Sequence, residues 1–192
     1  MNQFSIHLPA FNVCAVACAA ALAAPGAFAV DYLTASQAQK LMFPGAASFV
    51  DKTILLGAEQ MRGVERIGKI DARSQSWAFS HALASDGAYQ GSVIIDKVVG
   101  KFELITYAVG IDAQGTIKGV EILSYRESHG GEIRLPGWRK QFSGKTAAEP
   151  LRIGDDIALI SGATLSCTHV TDGVRRITAI WNVLHSMGAL QT

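Results

Sequence analysis

Near the C-terminus apolar residues recur at intervals of three and four: Val170, Val174, Ile177, Ile180, Trp181, Leu184 and Met187. That period predicts an amphipathic helix over residues 168–187, with Gly188 placed to end it in a left-handed cap. Upstream the period shortens. SWAFSHALA, GSVIIDKVVG, KFELITYAVGID and TIKGVEILSY are four runs rich in β-branched and aromatic residues, separated by SDG, Gly100 and AQG, and they predict an antiparallel meander. Ala113-Gln114-Gly115 is a tight-turn signal, so residues 102–111 and 116–125 are expected to pair as a hairpin. Two shorter amphipathic stretches precede the meander. One runs through Ala38 to Met42, capped by Thr34 or Ser36 and stopped by Pro44-Gly45; the other covers Ala58 to Ile67, with Met61, Val64 and Ile67 on one side. The fold expected is therefore α+β: an antiparallel twisted sheet packed by a long C-terminal helix and shorter N-terminal helices. Residues 126–145 read as a polar, glycine-containing loop, within which Pro136 opens a helical turn carrying Trp138 and Phe142 inward.

Composition adds limits. With 192 residues, 49% of them hydrophobic and 8% aromatic, the chain has the make-up of one folded domain, expected over residues 30–192. A net charge of +1 gives no footprint for a phosphate backbone, so nucleic acid is not an expected partner. The first 29 residues contain no Lys, Arg, Asp or Glu and end in a small-apolar run, Pro25-Gly26 and Ala27-Phe28-Ala29, as a signal peptide cleaved before Val30 would. The n-region lacks a Lys or Arg, which leaves an uncleaved anchor as the alternative. Either way the domain is expected to be exported: periplasmic, or on the outer face of the cytoplasmic membrane. Cys14 and Cys18 would leave with a cleaved signal, and Cys167 alone would remain.

The segment SGATLSCTHVTDG, residues 161–173, places seven hydroxyl, thiol or imidazole side chains and two glycines directly before the long helix. A helix start offers unpaired N–H groups and the positive end of the dipole, which together stabilise a phosphate. Gly162 and Ala163 would let the backbone approach an anion, and Ser161, Thr164, Ser166 and Thr168 add hydroxyls. Plain N-capping by Ser or Thr, with nothing bound, accounts for the same residues. Cys167 and His169 have no second ligand pair of recognisable spacing, so no metal site is expected. Two residues apart on a helix, they also do not face each other as a nucleophile pair. Gly173 within the helix implies a close packing partner, while Arg175 and Arg176 read as a solvated helix face and Asp155-Asp156 as a solvated acid pair.

SGATLS, preceded by ESHGGEI and W..QFSGK, resembles the FMN-binding domain family, which includes the covalent-flavin subunits of the sodium-pumping NADH:quinone oxidoreductase and of Rnf-type complexes. The resemblance runs from about residue 90 to the end of the helix. It implies FMN as cofactor, joined by a phosphodiester bond to Thr164, the last residue of S-G-A-T, by an ApbE-type flavin transferase working outside the cytoplasm. The implied cofactor-binding set is Ser161, Gly162, Ala163, Thr164, Leu165 and Ser166, with Glu127 and Gly130 from the family's second motif, E-T-P-G-L-G. His129, Gly131 and Glu132 stand where that motif has Pro, Leu and Gly, and Ala158 stands where the flavinylation motif favours Asp. Arg134, Arg139 and Lys140 are the loop cations available to bias the charge states of a flavin, while His129 is expected either to meet its edge or simply to be hydrated. The function implied is electron carriage between a membrane-bound donor and an acceptor outside the cytoplasm. Two alternatives stay open: an exported module binding a ligand or partner without redox chemistry, and a flavin-dependent reductase.

Overall fold

The computed structural model describes residues 30–190; the expected signal segment, with Cys14 and Cys18, lies outside the described residues. Six strands form the sheet: β1 (Val30–Asp31), β2 (Ser48–Leu55), β3 (Ser76–Leu83), β4 (Tyr89–Val99), β5 (Leu104–Asp112) and β6 (Ile117–Tyr125). Their order is β1-β6-β5-β4-β3-β2, and each neighbouring pair is antiparallel. The meander β3 to β6 is the one the four apolar runs predict. At its last turn Asp112 Oδ1 accepts from the amides of Gln114 and Thr116, at 3.0 and 2.9 Å, and so fixes the hairpin. Two strands escape the sequence reading. β2 is an edge strand whose positions are exposed or half-buried, so Asp51, Lys52 and Thr53 dilute its alternation, and β1 is two residues long.

Helix α1 (Ala35–Met42) starts in a capping box between Thr34 and Gln37 and packs Ala38 and Met42 on the face of the sheet formed by Ala82, Val93, Ala108 and Leu123. α2 (Ala58–Gly68) buries Val64 as expected, while Ile67 stays exposed. α3 (Pro136–Arg139) begins at Pro136 and turns Trp138 inward; Phe142 follows, and both are buried, ring edge to ring face. The longest helix, α4 (Thr164–Ser186), crosses the opposite face of the sheet and packs against α2. No helix among the described residues is long and apolar enough to cross a membrane.

α4 starts four residues before the predicted Thr168. The apolar stripe continues backward from Val170 through Cys167 to Ala163, all buried, but small residues carry it and the polar side chains between them hide it. Met187 is half exposed and closes the helix rather than packing beneath it. The expected partner of Gly173 is the sheet: a Cβ there would stand 1.8 Å from the Tyr107 hydroxyl, which donates to Asp96 Oδ2 at 2.7 Å. The two arginines that read as a solvated face are in fact engaged. Arg175 pairs with Asp172 at 2.7 Å, and Arg176 donates to the Asp71 carbonyl at 2.7 Å, tying α4 to the α2–β3 connection.

Toward the other end of α4, His81 is buried on β3, with Nδ1 2.8 Å from Ser92 Oγ and no partner for Nε2 among the described residues. Burial, and then the charge of Lys52, lowers its pKa below 6.5. The folded chain therefore holds a neutral ring that the unfolded chain protonates first. Its contribution to stability is complete above about pH 6.5 and is lost as the pH falls below that value. Urea denaturation at about pH 7.5 and about pH 5.5 is expected to show a larger acid loss for the wild-type chain than for His81→Gln. For Gly173→Ala, helix propensity favours the variant by about 1 kcal/mol, but overpacking against Tyr107 costs about 1 to 3 kcal/mol. Net destabilisation is expected, read as a lower urea midpoint.

Candidate functional site

Three segments meet around the start of α4 and enclose a cleft of about 670 Å³, within the range that takes a cofactor. They are residues 101–102 at the β4–β5 turn, residues 127–132 after β6, and residues 161–166. Every residue of the implied cofactor-binding set lines it: Glu127, Gly130, Ser161, Gly162, Ala163, Thr164, Leu165 and Ser166.

The start of α4 is left open. Ala163 is its N-cap and no side chain caps it, whereas α1 has Thr34 with Gln37, and Gln60 accepts from the Gly57 amide at the start of α2. The first intrahelical bond runs from Cys167 N to Ala163 O at 2.9 Å, so the amides of Thr164, Leu165 and Ser166 lack an acceptor within the helix. Gly162 turns the chain into the helix at φ 85°, and a Cβ there would meet nothing within 4 Å. Backbone, dipole and open space thus coincide, which fits an anionic group. Of the hydroxyls, Ser166 Oγ lies 3.1 Å from the Tyr125 hydroxyl and Thr168 donates back to the Thr164 carbonyl at 2.9 Å. Ser161 and Thr164 are exposed to the cleft.

The wall opposite depends on Tyr125, at the end of β6. Its buried hydroxyl donates to the His129 carbonyl and reaches Ser166, joining the loop to the helix. Burial raises the pKa of this phenol, against the opposing pull of its bond to Ser166. Gly130, at φ 84°, packs so closely that a Cβ would stand 2.7 Å from that hydroxyl and 3.1 Å from Ala163 Cβ. On the far side His169 Nδ1 donates to the Val99 carbonyl, tethering the second turn of α4 to β4.

Glu127 lines the cleft, but its carboxylate faces the β4–β5 turn, where Oε1 accepts from the amides of Phe102 and Glu103 at 2.6 and 3.0 Å. Burial pushes its pKa up; the amides of Glu103, Phe102 and Lys101 and the charge of Lys101 outweigh this and hold it below the usual glutamate value. The carboxylate is thus a brace between loops. The three loop cations named from sequence lie elsewhere. Arg134 stacks over the Tyr32 ring at 4.9 Å, Arg139 pairs with Glu121 and donates to the Val120 carbonyl, and Arg139 and Lys140 line a separate hollow beside Lys118. The cation in the cleft is Lys101. With Phe102 it was invisible to the sequence pattern, which assigned residues 102–103 to a strand; β5 begins only at Leu104.

The polar surroundings of Ala158 are also distinct. Its amide donates to Gln141 Oε1 at 2.7 Å and its carbonyl accepts from Trp138 Nε1 at 2.8 Å, so the loop before the SGAT segment is anchored through its backbone. Asp156 is no free acid: it accepts from the amides of Leu151 and Arg152 and pairs with Lys145 at 3.0 Å. Cys167 is fully buried and burial raises its thiol pKa, which suits a packed side chain.

Residues 100–179 match the family of the FMN-binding domain, the family that the SGAT segment resembles. Among solved structures, NqrC of Shewanella oneidensis is similar at 16% identity and a TM-score of 0.49, over 82% of this chain and 92% of that one. One component of the Na(+)-translocating NADH-quinone reductase of Parabacteroides distasonis gives 17% identity and a TM-score of 0.44, over 83% of this chain and 85% of that one. No curated protein matches the sequence.

Tyr125→Phe tests the wall. Removing the hydroxyl leaves the His129 carbonyl and Ser166 short of a partner, at a cost of about 1 to 3 kcal/mol. Hydrogen exchange is expected to quicken in residues 128–132 and in the first turn of α4 while the sheet stays protected.

Proposed function

We propose that this chain is an electron carrier that holds FMN in the cleft, with the FMN phosphate at the start of α4 and esterified to Thr164. One observation carries the proposal: the segment matched to an FMN-binding family includes the start of a long helix, which is uncapped and opens, beside an exposed threonine, into a cleft of about 670 Å³. When bound, FMN supplies one- and two-electron redox chemistry of its own. What falls to the protein is binding and orientation.

The amides of Thr164, Leu165 and Ser166, with the helix dipole, hold the phosphate without a cationic side chain. Gly162 gives it room to approach. The hydroxyls sort themselves by what they already bond: Ser166 is engaged by Tyr125 and Thr168 by the helix backbone, which favours Thr164 as the ester site. Ser161 is then a hydrogen-bond donor to the same group. The Tyr125–His129 contact keeps the loop wall at a fixed distance from the helix start. A covalent bond would keep the cofactor in place outside the cytoplasm, where free FMN is scarce. In this reading the chain is exported, receives its flavin there from an ApbE-type transferase, and passes electrons from a membrane-bound donor to an acceptor in the same compartment.

Protein made in an exporting host with the transferase is expected to stay yellow and fluorescent after denaturation, with one flavin nucleotide added to its intact mass. Thr164→Val should abolish the added mass and Thr164→Ser should retain it. An unmodified mass for fully processed wild-type protein overturns the ester.

A further inference from the structure

The tip of the β4–β5 hairpin is held from outside. Gly100 N donates to Glu103 O at 2.8 Å, closing the turn, while the amides of Phe102 and Glu103 point to Glu127, 25 and 24 residues further along the chain. A Cβ at Gly100 would stand 2.5 Å from Glu127 Oε1, so only glycine lets the carboxylate come so close. With its backbone fixed in this way, the tip projects Lys101 and Phe102 into the cleft. Phe102 is 75% exposed, although burying such a side chain stabilises a fold. Leu165, on the helix wall of the same cleft, is 44% exposed. Lys101 Nζ sits 4.9 Å from the Phe102 ring centroid, so an ammonium accompanies the exposed ring. The other charged lining residue besides Glu127 is Glu132, on the loop wall.

We propose that the hairpin tip forms the ring end of the cofactor site, where Phe102 and Leu165 shield a flat heteroaromatic ring from water and Lys101 raises its reduction potential, with Glu127 as the positioning residue. The inference rests on the proposed FMN site and gives its far end an address. The helix start binds a phosphate through backbone groups and contributes no aromatic surface. The ring needs apolar contact, and exposed Phe102 and Leu165 are the large apolar side chains lining the cleft. A flavin ring takes up negative charge near N1 and O2 on reduction. A cation close to that edge favours that state, and because Lys101 is exposed on its turn the effect weakens as salt is added. Glu127 acts at one remove: its charge is engaged by backbone amides, so its loss frees the tip.

The test uses the full chain, matured with flavin in an exporting host. Spectroelectrochemical titration of Lys101→Met is expected to give a lower midpoint potential than wild type, and Lys101→Arg to restore it. Phe102→Ala should keep its flavin content while iodide quenches the flavin fluorescence more strongly, with Phe102→Tyr close to wild type. Glu127→Ala should show both changes and faster hydrogen exchange at the amides of Phe102 and Glu103. Lys101 and Phe102 are exposed on a turn, so their variants report even if Glu127→Ala fails to fold. A wild-type potential in Lys101→Met, or wild-type quenching in Phe102→Ala, overturns the inference and leaves the FMN proposal standing; a wild-type chain without flavin overturns both.

Discussion

The position of α4 on the sheet follows from one close approach, the Tyr107 hydroxyl lying against the helix backbone at Gly173. No residue with a side chain could stand there without moving either partner. Tyr107 is itself fixed by Asp96 on the neighbouring strand, and Arg73 pairs with the same carboxylate. Burial, then the charge and hydrogen bond of Asp96, raises the phenol's pKa well above its ordinary value, so the contact keeps its proton at any ordinary pH. A helix seated at that depth brings Cys167 and Val170 onto the sheet and carries the preceding turn past the end of β6, between loop and hairpin. The cleft is a consequence of that seating.

Its two ends use different physics. At the helix start the groups facing the cleft are amides and a dipole, which are fixed by the fold and cannot titrate. At the hairpin they are side chains whose placement depends on Glu127. The cleft contains two carboxylates against one ammonium, which would disfavour an anion if all three charges faced it. Glu127 does not act as a free charge, since hydrogen-bond donors from three amides satisfy it, and its low pKa is the mark of that engagement. The electrostatic balance is therefore set by the open helix end and Lys101 against the exposed Glu132.

The sequence made the interior of the fold readable and left its edges obscure. β3 to β6 and α4 carry apolar residues at unbroken periods because sheet and helix bury one another, and the family motif placed Thr164 and its neighbours on a helix start. β2 failed because an edge strand needs no such period. The start of α4 was read four residues late because Ala163, Ser166 and Cys167 are small, and a stripe of small residues looks like loop chemistry. Lys101 and Phe102 were missed for another reason. Their placement depends on a contact with Glu127 across 25 residues, and no local pattern encodes it. The signal available was an aromatic residue two positions after a turn glycine, at the tip of a hairpin, where burial within the domain is not on offer.

The uncapped start of α4 is the local rule that this chain breaks. Replacing a Ser, Thr, Asp or Asn cap by Ala costs about 0.5 to 2 kcal/mol, and α1, a helix of eight residues, keeps its capping box. The 23-residue helix on which the core depends has Ala163 in that place, with Ser161 and Thr164 two positions before and one after. A shift of one or two residues would have supplied a cap. Stability alone would select that shift, because a self-capped helix needs nothing from outside. The amides left open at Thr164, Leu165 and Ser166 follow Gly162, where a Cβ would meet nothing within 4 Å, so the chain leaves space as well as donors at this end. The missing cap and the open cleft thus coincide: the helix leaves donors over, and the cleft leaves room for an acceptor from outside the chain to meet them.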